Sequence, residues 1–503
     1  MKMQYPASVE CWGVWELAAH GRSDGNPFTD YRIIGEFESK NEKKTVDGFY
    51  DGDGVYKVRF MPSFIEEYSF RITGSCIEEP ITGRFSVLPP GENNHGPVKV
   101  AASYHFAYAD GTPYYPVGTT CYVWTHQPQE IQEQTLQTLA EGHFNKVRMC
   151  ILPKSYLFNV RDPITFPYEG TPCDATGITN DNVLSYLPDH PGNHWDFTRF
   201  NPAHFQNLER RIADLMALGI EADLIAMHCY DRWGFSTMTP EQDDLYWRYI
   251  IARFAAYRNV WWSLANEYDL MTSKTNADWE RYAKLLCDHD PYCRLRSIHN
   301  CVNYYDFTSP WVTHCCVQRQ DYYKGTGSTA ELRIRYDKPV IFDEISYEGN
   351  VPNGWGNISG EELMRRTWEA VVRGGYASHG ETYNGDYIWW SHGGKLYGES
   401  HHRMKFMHEI LKKTPGLGLR YIYMNWDEIA ATAENGAFYY LIYFAFWRPS
   451  SRELNFGDEP YVVELIDTWE MTTEVVGTFT GKAVIPMPSK PYMALRIYRP
   501  ETD

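Results

Sequence analysis

From about residue 93 to residue 415, short apolar runs alternate with stretches of helical spacing, and this rhythm constrains the fold more than any other feature of the chain. A strand that runs parallel to its predecessor needs a crossover, usually a helix, so the pattern predicts repeated βα units. The apolar runs end near Thr120, Met149, Met227, Glu267, Asn300, Gln318, Glu344 and Tyr383. Eight such units, in an architecture that typically takes ~250 residues, predict an α/β fold with a (β/α)8 TIM barrel. Helices fit between the runs. Phe205, Leu208, Ile212 and Leu215 share one helical face, and Gly219 stops that helix before the next strand. Ser359-Gly-Glu-Glu362 reads as a capping box, and a last helix ends at Lys412-Lys413 ahead of Pro415 and Gly416.

The flanks have a different period. In Val55–Phe60, Tyr56, Val58 and Phe60 fall on one face with Lys57 and Arg59 on the other, and Tyr68, Phe70 and Ile72 repeat the alternation. With turns such as Asp51-Gly-Asp-Gly54, residues 1–92 predict a small Ig-like antiparallel β-sandwich. Pro89-Pro-Gly-Glu-Asn-Asn-His-Gly-Pro97 reads as a linker, and Asp110-Gly111 as a hairpin turn leading into the first barrel strand. The catalytic barrel is assigned to 93–415. The Asn435-Gly436 turn and the apolar run Ala437–Phe446 mark a C-terminal β-sandwich over 416–503.

Charge and composition exclude several functions. A net charge of −18 disfavours nucleic acid and anionic membrane, which attract basic faces. No run of about 18 apolar residues marks a membrane span. The stretch Met1–Glu10 has no apolar run of signal-peptide length, so a cytoplasmic location is expected. The eleven cysteines are scattered through strands rather than set out as a framework, and are read as reduced, buried apolar residues. Aromatic residues make up 16% of the chain, including 17 Trp and 38 Tyr. Rings with a polar edge stack on the C–H faces of sugars while satisfying a hydroxyl, and they are also common in β-structure.

Against this background two glutamates stand out. Glu267 ends Asn259-Val-Trp-Trp-Ser-Leu-Ala-Asn-Glu267, and Glu344 ends Lys338-Pro-Val-Ile-Phe-Asp-Glu344. Their separation, 344 − 267 = 77 residues, is that of barrel strands four and seven. Two carboxyls at the C-terminal mouth of a barrel could protonate a leaving oxygen and attack an anomeric carbon. Asn266 is placed to hydrogen-bond a sugar 2-hydroxyl. Side chains alternate along a strand, so only one of Asp343 and Glu344 is expected to face the mouth; Glu344 is preferred, with Asp343 as a structural partner and Glu348 a third candidate.

Arg148 is a lone charge within the apolar strand Lys146–Ile151. It would serve either as the cation that keeps a nucleophile ionised or as half of a structural salt bridge. His228 after strand three, Trp390 after strand eight, Trp124 after strand one and Tyr322 beyond strand six sit where substrate contacts gather, and each could equally be core. No cofactor and no metal are expected, since the chain lacks His-Glu-x-x-His, Cys-x-x-Cys, a phosphate-binding glycine loop and a Gly-x-Ser-x-Gly elbow.

The Asn266-Glu267, Asp343-Glu344 and Val147-Arg148 strand ends resemble those of the clan A (β/α)8 retaining glycosidases. More narrowly, Pro116-Val-Gly118, Trp195-Asp-Phe-Thr-Arg-Phe-Asn-Pro202 and Lys338–Gly349 resemble the apiosidase-like branch, and the flanks resemble the β-sandwich domains of unknown function that accompany such barrels. The resemblance implies Glu267 as acid/base, Glu344 as nucleophile and net retention of anomeric configuration. That branch is expected to carry Asp at the acid/base position, where this chain has Glu267. The expectation is therefore a retaining glycoside hydrolase acting from the ends of short oligosaccharides or on small glycosides. The competing reading is a non-catalytic carbohydrate- or protein-binding protein, which would have no need of paired carboxyls at strand ends.

Overall fold

The structure, a computed structural model, describes residues 3–187, 191–321, 325–385 and 387–500. Eight short parallel strands follow one another in its central part: β1 (Gly118–Thr120), β2 (Lys146–Cys150), β3 (Glu221–His228), β4 (Val260–Asn266), β5 (Arg296–Ser297), β6 (Cys315–Gln318), β7 (Val340–Glu344) and β8 (Tyr376–Ala377). The first five form one sheet in sequence order and the last three another. Single parallel bridges join the two arcs at both seams, His299 to Cys316 and Thr119 to His379, giving a TIM-barrel-like ring. At the first seam side chains do the work of a ladder. Ser297 Oγ donates to His314 O at 2.6 Å and accepts from Cys316 N at 3.2 Å, while Asn300 exchanges bonds with the backbone of Gln318 at 3.1 and 3.2 Å.

Helices α1 (Gln129–Leu139), α2 (Pro202–Ala217), α3 (Pro240–Phe254), α4 (Asn276–His289), α5 (Thr329–Tyr336), α6 (Gly360–Val372), α7 (Trp389–His392) and α8 (Ser400–Leu411) surround the strands. Among the described residues none follows β5 before β6 begins. The α2 face holds as its spacing predicts: Phe205, Leu208, Ile212 and Leu215 are buried, and Asn201 caps the helix ahead of Pro202. At α6 the capping box forms one limb only. Ser359 accepts from Glu362 N, but the Glu362 carboxylate turns to Arg365 and Arg366. The eighth strand lies earlier than predicted, because Glu381–Thr382 pairs with Glu348–Gly349 in a separate ladder beyond the ring.

The ring's interior is polar. Lys146 Nζ on β2 lies 2.8 Å from Asp223 on β3 and 2.7 Å from Asp343 on β7, with Ser378 Oγ donating to Asp343 at 2.8 Å. Burial opposes the charge on Asp343, but Lys146 and Arg148 outweigh it and hold the carboxyl well below the usual range. Asp343 and Glu344 both turn inward, but only Glu344 lines the mouth, as expected, while Asp343 serves as a structural partner of Lys146. The β6–β7 pairing shifts register between Val317 and Gln318, which sets Gln318 opposite Glu344 and leaves Asp343 out of the ladder. A bulge of this kind re-aims consecutive side chains.

Before the ring, two sheets pack face to face, with strand orders that include Trp15–His20, Val55–Phe60, Glu67–Gly74 and Ile81–Leu88. Phe37 of one sheet stacks on Phe60 of the other at 4.1 Å. Arg59, expected on the polar face of its strand, is 4% exposed. That face docks on the ring, where Arg59 bonds Glu209 of α2 and donates to Arg253 O of α3 at 2.7 Å. After the ring, a six-stranded antiparallel sheet turns at Asn435-Gly436 and anchors to the helices: Arg333 of α5 reaches Glu434 at 2.9 Å, and Arg403 of α8 donates to Trp469 O at 3.0 Å. All eleven cysteines are unpaired. No helix among the described residues is long and apolar enough to cross a membrane.

Candidate active site

The C-terminal ends of β4 and β7 open on a cavity of about 280 Å³ lined by Glu267, Glu344, Tyr122, Lys154, Tyr156, Tyr230, Gln318, Tyr347, Trp355 and Trp390, among others. Glu344, the last residue of β7, is 5% exposed. Its Oε1 accepts from Arg148 Nη1 at 3.2 Å and from the Tyr122 hydroxyl, and lies 3.3 Å from His299 Nε2. Burial opposes ionisation of Glu344, but the hydrogen bond and charge of His299, then Arg148 and Tyr122, prevail and hold its carboxyl down to about 2. Burial and the charge of Glu344 push the Tyr122 phenol well above its ordinary value, so it remains a donor.

The side chains that donate to Glu267 are uncharged. Its Oε2 accepts from the Tyr230 hydroxyl and from Asn266 Nδ2 at 3.3 Å, and its Oε1 from Gln318 Nε2 at 3.1 Å. No Lys or Arg bonds it among the described residues. Its φ is +53°, a left-handed conformation that costs a residue with a Cβ roughly 1–2 kcal/mol. Strain of this kind at a strand end is characteristic of sites where a side chain must be aimed.

Two relays join the carboxylates. Asn266 gives its amide hydrogen to Glu267 while its Oδ1 accepts from Arg148 Nη2 at 3.0 Å and lies 3.0 Å from the Tyr122 hydroxyl, whose one proton goes to Glu344. On the other side, Gln318 gives its amide hydrogen to Glu267 while its Oε1 faces His299 Nε2 at 3.1 Å. Since His299 Nε2 meets only acceptors, Gln318 Oε1 and Glu344 Oε1, that nitrogen carries the proton.

Arg148 is thus brought to Glu344 and Asn266, and Trp390 to the cavity wall, where it packs against Tyr156 at 4.9 Å and Trp355 at 4.8 Å. His228 and Trp124 are not brought there. His228 lies below the cavity with Nε2 on Leu152 O at 3.2 Å, and burial pulls its imidazole down to about 3, so it is a neutral core residue. Trp124 is fully buried with its Nε1 on Met149 Sδ at 3.4 Å. Tyr322 falls outside the described residues. Glu348 caps the start of α8, accepting from Glu399 N and Ser400 N at 3.0 Å.

The residues that sequence reasoning missed come mainly from loops. Tyr230 stands among the residues after strand three, where contacts are expected, and Tyr122, two positions beyond a strand end, carried a similar signal. Lys154, four residues past β2, had no such signal. Its Nζ sits over three tyrosine rings, Tyr122 at 3.4 Å, Tyr156 at 4.3 Å and Tyr230 at 4.5 Å. Burial pulls Lys154 below its ordinary value against the pull of Cys150, Glu267 and Glu344. The two groups of three metal-capable side chains among the described residues lie away from this cavity.

The profile of the apiosidase-like catalytic domain matches residues 101–440, and two domains of unknown function, DUF5060 and DUF5605, match 8–75 and 426–498. A crystal structure of a candidate glycoside hydrolase from Bacteroides vulgatus ATCC 8482 is 39% identical, covers 98% of this chain and 100% of its own, and superposes with a TM-score of 0.89. A glycoside hydrolase family 5 structure from the same organism is 15% identical over 80% of this chain and 94% of its own, with a TM-score of 0.61, a likeness of fold alone. No curated protein matches the chain.

Proposed function

We propose that this glycoside hydrolase, a chain that belongs to the apiosidase-like catalytic-domain family, cleaves terminal sugars from short oligosaccharides or small glycosides with retention of anomeric configuration. The observation that carries the reading is the contrast between two carboxyls on one cavity: Glu344 is held ionised by Arg148, His299 and Tyr122, while Glu267 is held by neutral donors. The transferable rule is that unlike surroundings assign the acid and the nucleophile.

In this mechanism a Glu344 oxygen attacks the anomeric carbon as Glu267 gives its proton to the departing oxygen, breaking the glycosidic bond and forming a glycosyl ester. Glu267, now a carboxylate, takes a proton from water, whose oxygen attacks the same carbon and releases Glu344. Arg148 and Tyr122 hold the attacking carboxylate in place, and the Trp355 and Trp390 rings offer faces for a sugar to stack on. The cavity, at about 280 Å³, lies at the small end of ligand pockets. That size suits one terminal residue better than a polymer in mid-chain. The departure from Asp at this position argues for a sugar other than apiose.

The test compares Glu344→Gln and Glu267→Gln on an activated and an unactivated aryl glycoside of the sugar found by screening. Glu344→Gln should abolish turnover of both, and Glu267→Gln should cost about 10²–10⁴-fold on the unactivated substrate and far less on the activated one. Equal, modest losses throughout would refute the assignment. Proton NMR of the first-formed product reads the anomer, and an inverted product would overturn retention.

A further inference from the structure

Outside the cavity, where the loop after α1 meets the start of α8, three imidazoles converge. The rings of His143 and His401 have centroids 4.6 Å apart, His143 and His402 5.0 Å, and His401 and His402 3.9 Å. One nitrogen from each lies within 4.8 Å of the others. We propose that His143, His401 and His402 bind a divalent transition-metal ion of the zinc type.

Hydrogen bonding supplies the independent argument. His143 Nε2 lies 3.2 Å from Glu141 Oε2, and a carboxylate oxygen accepts, so Nε2 carries the proton and Nδ1 presents a lone pair. That Nδ1 is buried without a partner, and so is Nδ1 of His401; both residues are 6% exposed. A buried polar atom left unpaired costs about 1–3 kcal/mol. Other buried imidazole nitrogens also lack a partner, both of His126, Nδ1 of His228 and Nε2 of His379, but among the described residues only here do three imidazoles converge within ligating distance. At the cluster the two unpartnered nitrogens belong to rings in mutual contact, and a metal ion would satisfy both.

Glu141 stands to His143 as carboxylates stand to metal-bound histidines, fixing tautomer and ring orientation. Three imidazoles without a carboxylate among them suit zinc, nickel or copper rather than magnesium or calcium, which take oxygen ligands. His402 is exposed, which gives an entry path and leaves a further coordination position to water. The neighbouring group of Glu348, His379 and Glu381 is a poorer candidate. Its four carboxylate oxygens already accept from the backbone of Tyr397, Gly398, Glu399 and Ser400.

The experiment is calorimetric titration of the chelator-washed full chain with zinc chloride, repeated on His143→Ala, His401→Ala, His402→Ala and Glu141→Gln. The wild type should saturate at one ion per chain and gain thermal stability with zinc by mass action. The histidine variants should lose the stoichiometric site, and Glu141→Gln should weaken it by about 10- to 100-fold. Calcium and magnesium should neither bind there nor compete. If the buried variants fail to fold, His402→Ala and Glu141→Gln, both surface changes, decide the matter. Absence of a saturable site in the wild type overturns the proposal, as does unchanged zinc binding in the variants that fold.

Discussion

Replacing Arg148 by Met removes a buried charge while keeping most of the side chain's length. The guanidinium is fully buried and gives bonds of 3.2 Å to Glu344 and 3.0 Å to Asn266. Breaking a buried ion pair by deleting one partner costs about 3–5 kcal/mol, and the low end is expected because His299 and Tyr122 still serve Glu344. The bond to a charged acceptor, about 1.5–3 kcal/mol, corresponds to about 1–2 pKa units at 1.36 kcal/mol each. The Glu344 carboxyl should therefore rise by that amount from its wild-type position at about 2. A carboxyl depressed by folding adds stability that is present above its unfolded value, about 4.3, and is lost as pH falls through the folded value. In the wild type that loss extends down to about 2, whereas in Arg148→Met it is complete at a higher pH. Asp343, held down in part by the same guanidinium, moves the same way. Urea unfolding from pH 7 to pH 3 should thus show the two proteins separated by about 3 kcal/mol at neutrality and converging as the medium is acidified. The acid limb of kcat/KM should move up by about 1–2 units in parallel. A stability difference that stays constant across the range would refute the reasoning, because it would mean that Arg148 acts by packing and not through the ionisation of Glu344.

Lys146→Met takes the shared ammonium from Asp223 and Asp343, leaving Asp343 only the charge of Arg148, and should cost about 3–5 kcal/mol in urea unfolding at pH 7. Tyr230→Phe removes a donor from Glu267 and should lower kcat/KM by about tenfold or more, from a bond of about 1.5–3 kcal/mol, with circular dichroism unchanged. Arg59→Met takes one of two guanidinium partners from the buried Glu209, leaving Arg253, and should lower the midpoint of thermal unfolding, read by calorimetry, while leaving KM unaltered because no cavity residue is touched.

The parts of the fold that were legible in the sequence are those set by local pattern. Strand ends at Thr120, Gln318 and Glu344 and the buried face of α2 follow from periodicity, which depends only on neighbours along the chain. What escaped depends on partners distant in sequence. The alternation rule fails at Asp343 and Glu344 because the shift lies opposite, at Val317 and Gln318. Arg59 reads as solvent-facing until Glu209, 209 − 59 = 150 positions away, is found against it. Tyr383 was taken for the end of the eighth strand because Glu381–Thr382 is a real strand, but one that pairs with Glu348–Gly349 outside the ring. In the cavity, the two glutamates and Arg148 were visible as charges at strand ends. The cage of Lys154 with Tyr122, Tyr156 and Tyr230 was not visible as a unit, since it is assembled from β1, β2 and β3 loops with no shared spacing.

The two single-bridge seams divide the cavity as well as the ring. Arg148, Asn266 and Glu267 belong to the five-strand arc, Gln318 and Glu344 to the three-strand arc. The spacing of the two carboxyls is therefore a property of neither arc, and is transmitted through the seams and through the Arg148–Glu344 and Gln318–Glu267 bonds that cross between the arcs. A ladder opens locally where its bonds are fewest. Parting at either seam would separate Glu267 from Glu344 while every helix and each arc stayed folded, so that on gentle heating or in dilute denaturant catalysis would fade before any spectroscopic sign of melting.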